Sequence, residues 1–235
     1  LFSVACVYFA RRRYWLAAGL AGALAAATRL VGVILFAIVL FEWLYAHGWS
    51  IRSFMSRRSW SNLVRRGNNW PGLLFTGLIP LGLIAFMLFL EIRFDDPLAF
   101  YEAHRSWGRE RLVFPFSQVI PQLGAVFRQQ FLPGHPGLWR VPADSLVSVL
   151  TLLLTIPIAR RLGATYALFT LLSITIPAMS NTVQSTMRLV AAIFPVFMLL
   201  ALWGRNQTVD RAITIGFAIL LAVFSVIFVN WRFVA

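Results

Sequence analysis

The most polar segment of the chain, FDDPLAFYEAHRSWGR, spans residues 94–109 and follows directly on an apolar run. Asp96 and Pro97 form a favourable helix start, because a carboxylate accepts hydrogen bonds from free N–H groups and proline has the backbone angle of a first helical residue. Spacings of four, three and four then place four side chains on one helix face: Phe100, His104, Trp107 and Arg111. The segment is therefore predicted to form a helix with an aromatic face and a charged rim.

Two interpretations of this helix stay open. An aromatic face with charged edges is typical of a helix that lies in the headgroup layer of a membrane, with Asp96 acting only as a cap. The same residues can also bind a polar headgroup, with Trp107 stacking on a sugar while Asp96, His104 and Arg109 form hydrogen bonds. A divalent cation held by Asp95 and Asp96 is disfavoured, since adjacent carboxylates point to different faces and no third ligand is evident. No metal site and no cofactor are predicted.

Two arginines extend this set of candidate residues. Arg29 lies between two apolar blocks, and Arg188 follows the polar run NTVQST. A charge at membrane depth is costly unless it reaches the lipid phosphates, pairs or lines a wet cavity, so such residues are candidates for function. A guanidinium binds a phosphate or diphosphate through two parallel hydrogen bonds. Together with residues 94–109, the arginines predict a site for an anionic lipid headgroup, and snorkelling to bilayer phosphate is the alternative for each.

The composition indicates a polytopic membrane protein. Of the 235 residues, 60% are hydrophobic and only 12% are charged, and the apolar residues occur in long blocks. The net charge of +13 comes from arginines clustered between these blocks, which favours membrane flanks over nucleic-acid binding. The single cysteine, Cys6, excludes an intramolecular disulfide and a thiolate metal cluster. We expect an integral, multi-pass membrane protein.

The apolar blocks predict an all-α fold, because in a bilayer only helices or closed barrels satisfy the backbone and the blocks do not alternate. They span residues 1–10, 14–28, 30–46, 72–92, 145–159, 162–179, 189–203 and 212–230. A single helix over residues 14–46 would far exceed the membrane thickness. The charge and the glycine of ATRLVG, residues 27–32, therefore predict two short helices that meet at Arg29.

The arginine clusters predict the orientation. Residues 11–13 and the segment 47–70, which holds five arginines and no acid, flank the 14–46 pair and prefer the cytoplasm. A hairpin places both flanks there, and a re-entrant pair remains the alternative. The segments 93–144 and 180–188 then lie outside, and the arginine-containing segments 159–161 and 204–211 lie inside. The proline-containing loop 93–144 is longer than a helix hairpin requires and is predicted to form an ordered lid that includes the interfacial helix.

At these residues the chain resembles bacterial relatives of the PIG-V mannosyltransferases, which belong to the GT-C class of polytopic glycosyltransferases. ATRLVG is similar to a helix element of the family, and DPLAF with WGR, residues 96–100 and 107–109, is similar to a loop element. Ser185, Arg188, Phe194, Pro195 and Phe197 are similar to a later element. The order and spacing agree over residues 11–205. The chain departs from the family pattern at His104, where glutamine is usual, at Leu189, where an aromatic residue is usual, and at Asp95, where glycine is common.

The resemblance implies a GT-C-like transmembrane helix bundle over residues 1–235, incomplete at its N-terminus, that transfers mannose from a polyprenyl-phosphate donor at the extracytoplasmic face. It also implies a catalytic carboxylate in an outer loop upstream of residue 1, so that the missing N-terminal helices of the same protein, the donor and the bilayer are the expected partners. Arg29 or Arg188 would then bind phosphate, with Asp96, His104, Trp107 and Arg109 near sugar or acceptor. The alternatives are a transporter or flippase for a lipid-linked intermediate, and a noncatalytic membrane subunit.

Overall fold

The computed structural model describes residues 1–47, 70–106, 113–114, 117, 120–121, 124, 140–179 and 186–230. Every regular element in these residues is helical, and they contain no strand. The prediction of an all-α fold is confirmed for this part of the chain.

The chain divides into two compact units, Leu1–Ala103 and His104–Ala235. The first contains α1 (Phe2–Arg11), α2 (Trp15–Thr28), a 3-10 helix (Leu30–Val33), α3 (Ile34–Ala46), α4 (Trp70–Thr76) and α5 (Leu78–Phe94). Helix α6 (Ala99–Ser106) crosses the boundary between the units. The second contains α7 (Arg140–Arg161), α8 (Ala164–Ala178), α9 (Thr186–Val190), α10 (Phe194–Trp203) and α11 (Gln207–Val229). The single domain predicted over residues 1–235 stays a prediction.

Among the described residues, three helical segments are long and apolar enough to span a membrane: Pro71–Phe94, which runs through α4 and α5, Ala143–Arg161 within α7, and Gln207–Val229, which is α11. Helix α11 has no buried residue at all, so its apolar side chains need an apolar medium around them. These helical segments support the prediction, made from composition, that the chain is a membrane protein.

The 14–46 region is interrupted where the sequence predicts. Helix α2 ends at Thr28, Arg29 has an extended backbone (φ −151°, ψ 133°), and the 3-10 helix leads into α3. The N–H of Gly32 donates to the carbonyl of Arg29 at 2.7 Å. A Cβ on Gly32 would lie 2.4 Å from the carbonyl oxygen of Ala25. The chain therefore folds back tightly against the end of α2, and the glycine permits this approach.

The two ends of this helix pair lie together. Nε of Arg11, at the end of α1, lies 3.6 Å from Oε1 of Glu42, whose side chain is largely buried near the end of α3. A Cβ on Gly72 would meet both Trp15 and Trp43 at 2.9 Å. The arginine-rich flank at 11–13 and the end of α3 therefore belong to one end of the first unit, as a hairpin requires. A re-entrant pair also has this property, so the choice between them stays open.

Glycines bring α2 and α5 into close contact. A Cβ on Gly82 would lie 2.0 Å from the carbonyl oxygen of Ala23, and one on Gly22 would lie 2.6 Å from the side chain of Ile79. About one turn earlier on α2, a Cβ on Gly19 would lie 2.2 Å from the carbonyl oxygen of Phe75, at the end of α4. The two helices run parallel in this register, with their backbones touching where small residues face each other.

In the second unit, α7 and α8 are joined by a short turn at Gly163. This residue has φ 111° and ψ 169°, a region that only glycine adopts readily. The N–H groups of Leu162 and Gly163 both donate to the carbonyl of Ile158. The turn directs α8 back along α7.

We expect Gly163→Ala to lower the free energy of unfolding by about 1–3 kcal/mol, because the added Cβ strains this backbone conformation. Nothing lies within 4 Å of the added Cβ, so no steric clash contributes. Gly216→Ala is the matched control, since its Cβ also meets nothing within 4 Å and its backbone is helical. The thermal midpoint in detergent should fall for the first variant only, and equal midpoints would contradict the strain.

Helix boundaries differ from the prediction at several places, and two of these differences affect elements of the second unit described below. The apolar block 189–203 is not one helix, because α9 ends at Val190 and α10 begins at Phe194. Pro195 lies in the first turn of α10, and proline can neither donate a backbone hydrogen bond to a preceding turn nor fit against it. Helix α7 begins at Arg140, inside the predicted outer loop 93–144, since a first helical turn needs no internal N–H bonds and accepts polar residues and Pro142.

Candidate functional site

The turn between α5 and α6 positions the two adjacent aspartates differently. Asp95 directly follows the last residue of α5 and has a left-handed backbone (φ 54°). Its N–H donates to the carbonyl of Glu91 at 2.9 Å. Asp96 is half-buried, and its Oδ1 accepts the N–H of Leu98 at 2.8 Å. The Asp96 carboxylate accepts a free N–H, as predicted, but this bond closes the turn before α6, which begins at Ala99 and not at Pro97.

The left-handed backbone at Asp95 has a clear physical meaning. Glycine is the preferred residue at such a helix end, and aspartate is among the few others that tolerate it. An aspartate at position 95 therefore keeps the conformation that the turn requires. Asp95 therefore shapes the backbone of the turn, and Asp96 supplies the carboxylate that accepts a hydrogen bond within it.

Phe100, on the predicted aromatic face of α6, packs back on α5. Its ring centroid lies 6.2 Å from that of Phe86. His104 lies on α6, but its side chain is outside the described part of the structure, as are Trp107, Arg109 and most of the predicted lid. The predicted roles of these side chains stay predictions.

Arg29 is exposed at the break between α2 and the 3-10 helix. Its side chain makes no ion pair with any residue that the structure describes. The α2–α5 register places the end of α2 roughly eight residues before the end of α5, or about 12 Å at 1.5 Å per residue. The Arg29 backbone therefore lies deeper than Asp96, measured along a helical segment, Pro71–Phe94, that is long enough to span a membrane. Both residues lie toward the same end of the first unit.

Arg188 is exposed on the short helix α9 of the second unit. The sequence places it at the start of a long helix, but the break at residues 191–193 separates it from α10. Its guanidinium also makes no ion pair within the described ranges. The predicted convergence of Arg188 with Arg29 and Asp96 stays a prediction.

A buried polar stripe on α7 was not anticipated from the sequence. Asp144 is only 2% exposed, and its Oδ1 accepts the N–H of Met187 on α9 at 2.9 Å. Three hydroxyl residues, at spacings of one, four and seven from it, are also buried: Ser145, Ser148 and Thr151. The available signal was this spacing of polar residues within an apolar helix, which is typical of a face turned inward.

Other features lie away from the predicted donor site. An open groove of about 440 Å³ is formed where α2 and α4 begin, at the end of the first unit that carries the Arg11–Glu42 pair. It is lined by Tyr14, Trp15, Leu16, Ala17, Pro71, Gly72 and Phe75.

Among the described side chains, no three His, Cys, Asp or Glu residues are grouped so that they could hold a metal ion.

Comparison of the chain with protein-family models, with curated proteins and with solved structures gave no match. In the residues that the structure describes, the protein is all-α and has three helical segments long and apolar enough to span a membrane.

Proposed function

We propose that the protein is a membrane glycosyltransferase that transfers mannose from a polyprenyl-phosphate donor to an acceptor at the extracytoplasmic face. In this proposal, Arg29 or Arg188 binds the donor phosphate, and Asp96 hydrogen-bonds the sugar or the acceptor. His104, Trp107 and Arg109 complete the sugar side of the site. An arginine that faces the departing phosphate stabilises the charge that develops on it.

The observation that carries the proposal is the arrangement of Arg29 and Asp96 in the first unit. An exposed guanidinium lies in a helix break, about two helical turns below a half-buried carboxylate at the end of a helix long enough to span a membrane. Arginine side chains extend toward a membrane surface from such a depth. A donor whose phosphate lies at the headgroup level and whose sugar lies further from the bilayer would meet Arg29 with its phosphate and Asp96 with its sugar.

One observation favours the transporter alternative. The chain is extended at Arg29 between two helices, and broken helices at membrane depth are typical of transporters, whose substrates bind at the break. A transporter would move the lipid-linked sugar across a vesicle membrane and leave it intact. Transfer of the labelled sugar to an acceptor distinguishes the two functions.

The test uses the full-length protein in membranes that contain acceptor, supplied with labelled polyprenyl-phosphate-mannose. We expect Asp96→Asn to reduce transfer about tenfold, since a hydrogen bond to a charged group contributes about 1.5–3 kcal/mol. The amide oxygen can still accept the Leu98 N–H, so the start of α6 should be retained. Asp96→Ala should lose both the cap and the transfer.

Asp210→Asn is the control, because Asp210 is an exposed acid in the first turn of α11. It should transfer at the wild-type rate. Wild-type transfer by Asp96→Asn would limit Asp96 to a capping role. A full-length wild-type protein that moves the label between leaflets but never to an acceptor would contradict the enzyme.

A further inference from the structure

The buried carboxylate of Asp144 holds the helix that carries Arg188. Its Oδ1 accepts the N–H of Met187 at 2.9 Å, across 43 residues of the chain. Thr186, on the same first turn of α9, is also buried, whereas the Arg188 side chain is exposed. The bond therefore fixes the backbone of α9 one residue before the guanidinium.

Helix α9 needs such an attachment. It has five residues, ends at Val190 and is followed by a turn, and a helix of this length does not persist without tertiary contacts. The carboxylate accepts from the second residue of α9, whose N–H has no partner within the helix. Without the carboxylate, the direction of the Arg188 side chain would be poorly defined.

The apolar surroundings of Asp144 make a buried carboxylate energetically costly at this position. The opposite face of α7 exposes Leu146, Leu150 and Leu153, and α7 includes a segment able to span a membrane. Burial of a carboxylate in such a helix costs several kcal/mol unless hydrogen bonds compensate it, and such residues are candidates for function. Ser148 donates a hydrogen bond to the backbone carbonyl of Asp144 at 2.7 Å, so this bond involves the main chain of Asp144 and not its carboxylate.

We propose that Asp144 is a positioning residue for Arg188, holding its guanidinium where it binds the phosphate of a polyprenyl-phosphate ligand. The inference rests on the proposed function, because it takes Arg188 as a phosphate ligand. Asp144 itself does not contact the ligand. Its effect passes through the backbone of α9.

The experiment is a double-mutant cycle on the full-length protein in phosphatidylcholine vesicles, with and without polyprenyl monophosphate. Binding is followed by tryptophan fluorescence, and the thermal midpoint is recorded for each variant. We expect Asp144→Ala to weaken binding about tenfold in the wild-type background and by less than about twofold in the Arg188→Ala background, since residues that act through one contact are not additive. Asp144→Asn should bind within about threefold of wild type, because its amide oxygen can accept the same N–H.

Ser145→Ala is the matched control. Ser145 is adjacent to Asp144 and 3% exposed, and its hydroxyl makes no hydrogen bond to the described residues. Its affinity should equal that of wild type. If Asp144→Ala does not fold, Met187→Pro removes the donated N–H from the other side, at a first-turn position where proline is tolerated.

Equal tenfold losses in both backgrounds would overturn the inference, because Asp144 would then act independently of Arg188. A lower thermal midpoint with unchanged affinity would also overturn it, since that result describes a purely structural bond. If Arg188→Ala itself left the affinity unchanged, Arg188 would not be the phosphate ligand and the inference would fail, whereas the proposed function would be left with Arg29 as its phosphate ligand. If Arg188→Ala weakened binding and Asp144→Ala did not, the inference alone would fail.

Discussion

Arg188→Ala should weaken binding of the polyprenyl-phosphate donor about 100-fold. A charged hydrogen bond contributes about 1.5–3 kcal/mol, and a factor of ten in affinity corresponds to about 1.4 kcal/mol. The Arg188 side chain is exposed and forms no ion pair with the described residues, so its donors are available to a ligand. The loss should appear in the KM for the donor, and also in kcat if the arginine stabilises the departing phosphate.

Arg188→Lys separates charge from geometry. Lysine keeps the positive charge but lacks the planar fork that binds two phosphate oxygens, so we expect an intermediate loss. Arg205→Ala is the control, because Arg205 is an exposed arginine in the turn between α10 and α11. Equal donor affinity for Arg188→Ala and Arg205→Ala would show that Arg188 contributes only general positive charge.

Gly82→Ala should destabilise the first unit more than any other glycine-to-alanine change at a described position. The added Cβ would lie 2.0 Å from the carbonyl oxygen of Ala23, a backbone atom that cannot rotate away. Relief requires α2 and α5 to separate, and overpacking of this kind costs about 1–3 kcal/mol or more. Because α2 leads directly to Arg29, separation of the helices should also move this arginine.

Gly216→Ala supplies the comparison, since its Cβ meets nothing within 4 Å on an exposed apolar helix. Its thermal midpoint in detergent should equal or slightly exceed that of wild type, because alanine is the better helix former. A Gly82→Ala protein as stable as Gly216→Ala would contradict the close contact of α2 and α5.

Local signals in the sequence predict the breaks and caps well. The charge and glycine after residue 28 predict the interruption at Arg29, and the Asp-Pro pair predicts that the Asp96 carboxylate accepts a nearby backbone N–H. These features depend on residues only a few positions apart. The fold-back at Gly32 follows from the same stretch.

Features that depend on tertiary contacts were not predictable in this way. The bond from Asp144 to Met187 joins residues 43 positions apart, and no local pattern pairs them.

The break at residues 191–193 did have a local signal, Pro195, but the apolar character of the block concealed it. The start of α7 at Arg140 was missed because apolarity begins only at residue 145, whereas a first helical turn does not require it.

The most direct test of the account is the side of the membrane on which Asp96 and Arg188 lie. Cys6, the only cysteine, is buried and can be replaced by alanine, after which single cysteines are introduced one at a time. An impermeant maleimide should label Asp96→Cys and Arg188→Cys in intact cells. It should label Arg13→Cys and Arg160→Cys only after permeabilisation. Labelling of positions 96 and 188 from opposite sides of the membrane would contradict the proposed function, which takes both residues to the extracytoplasmic face.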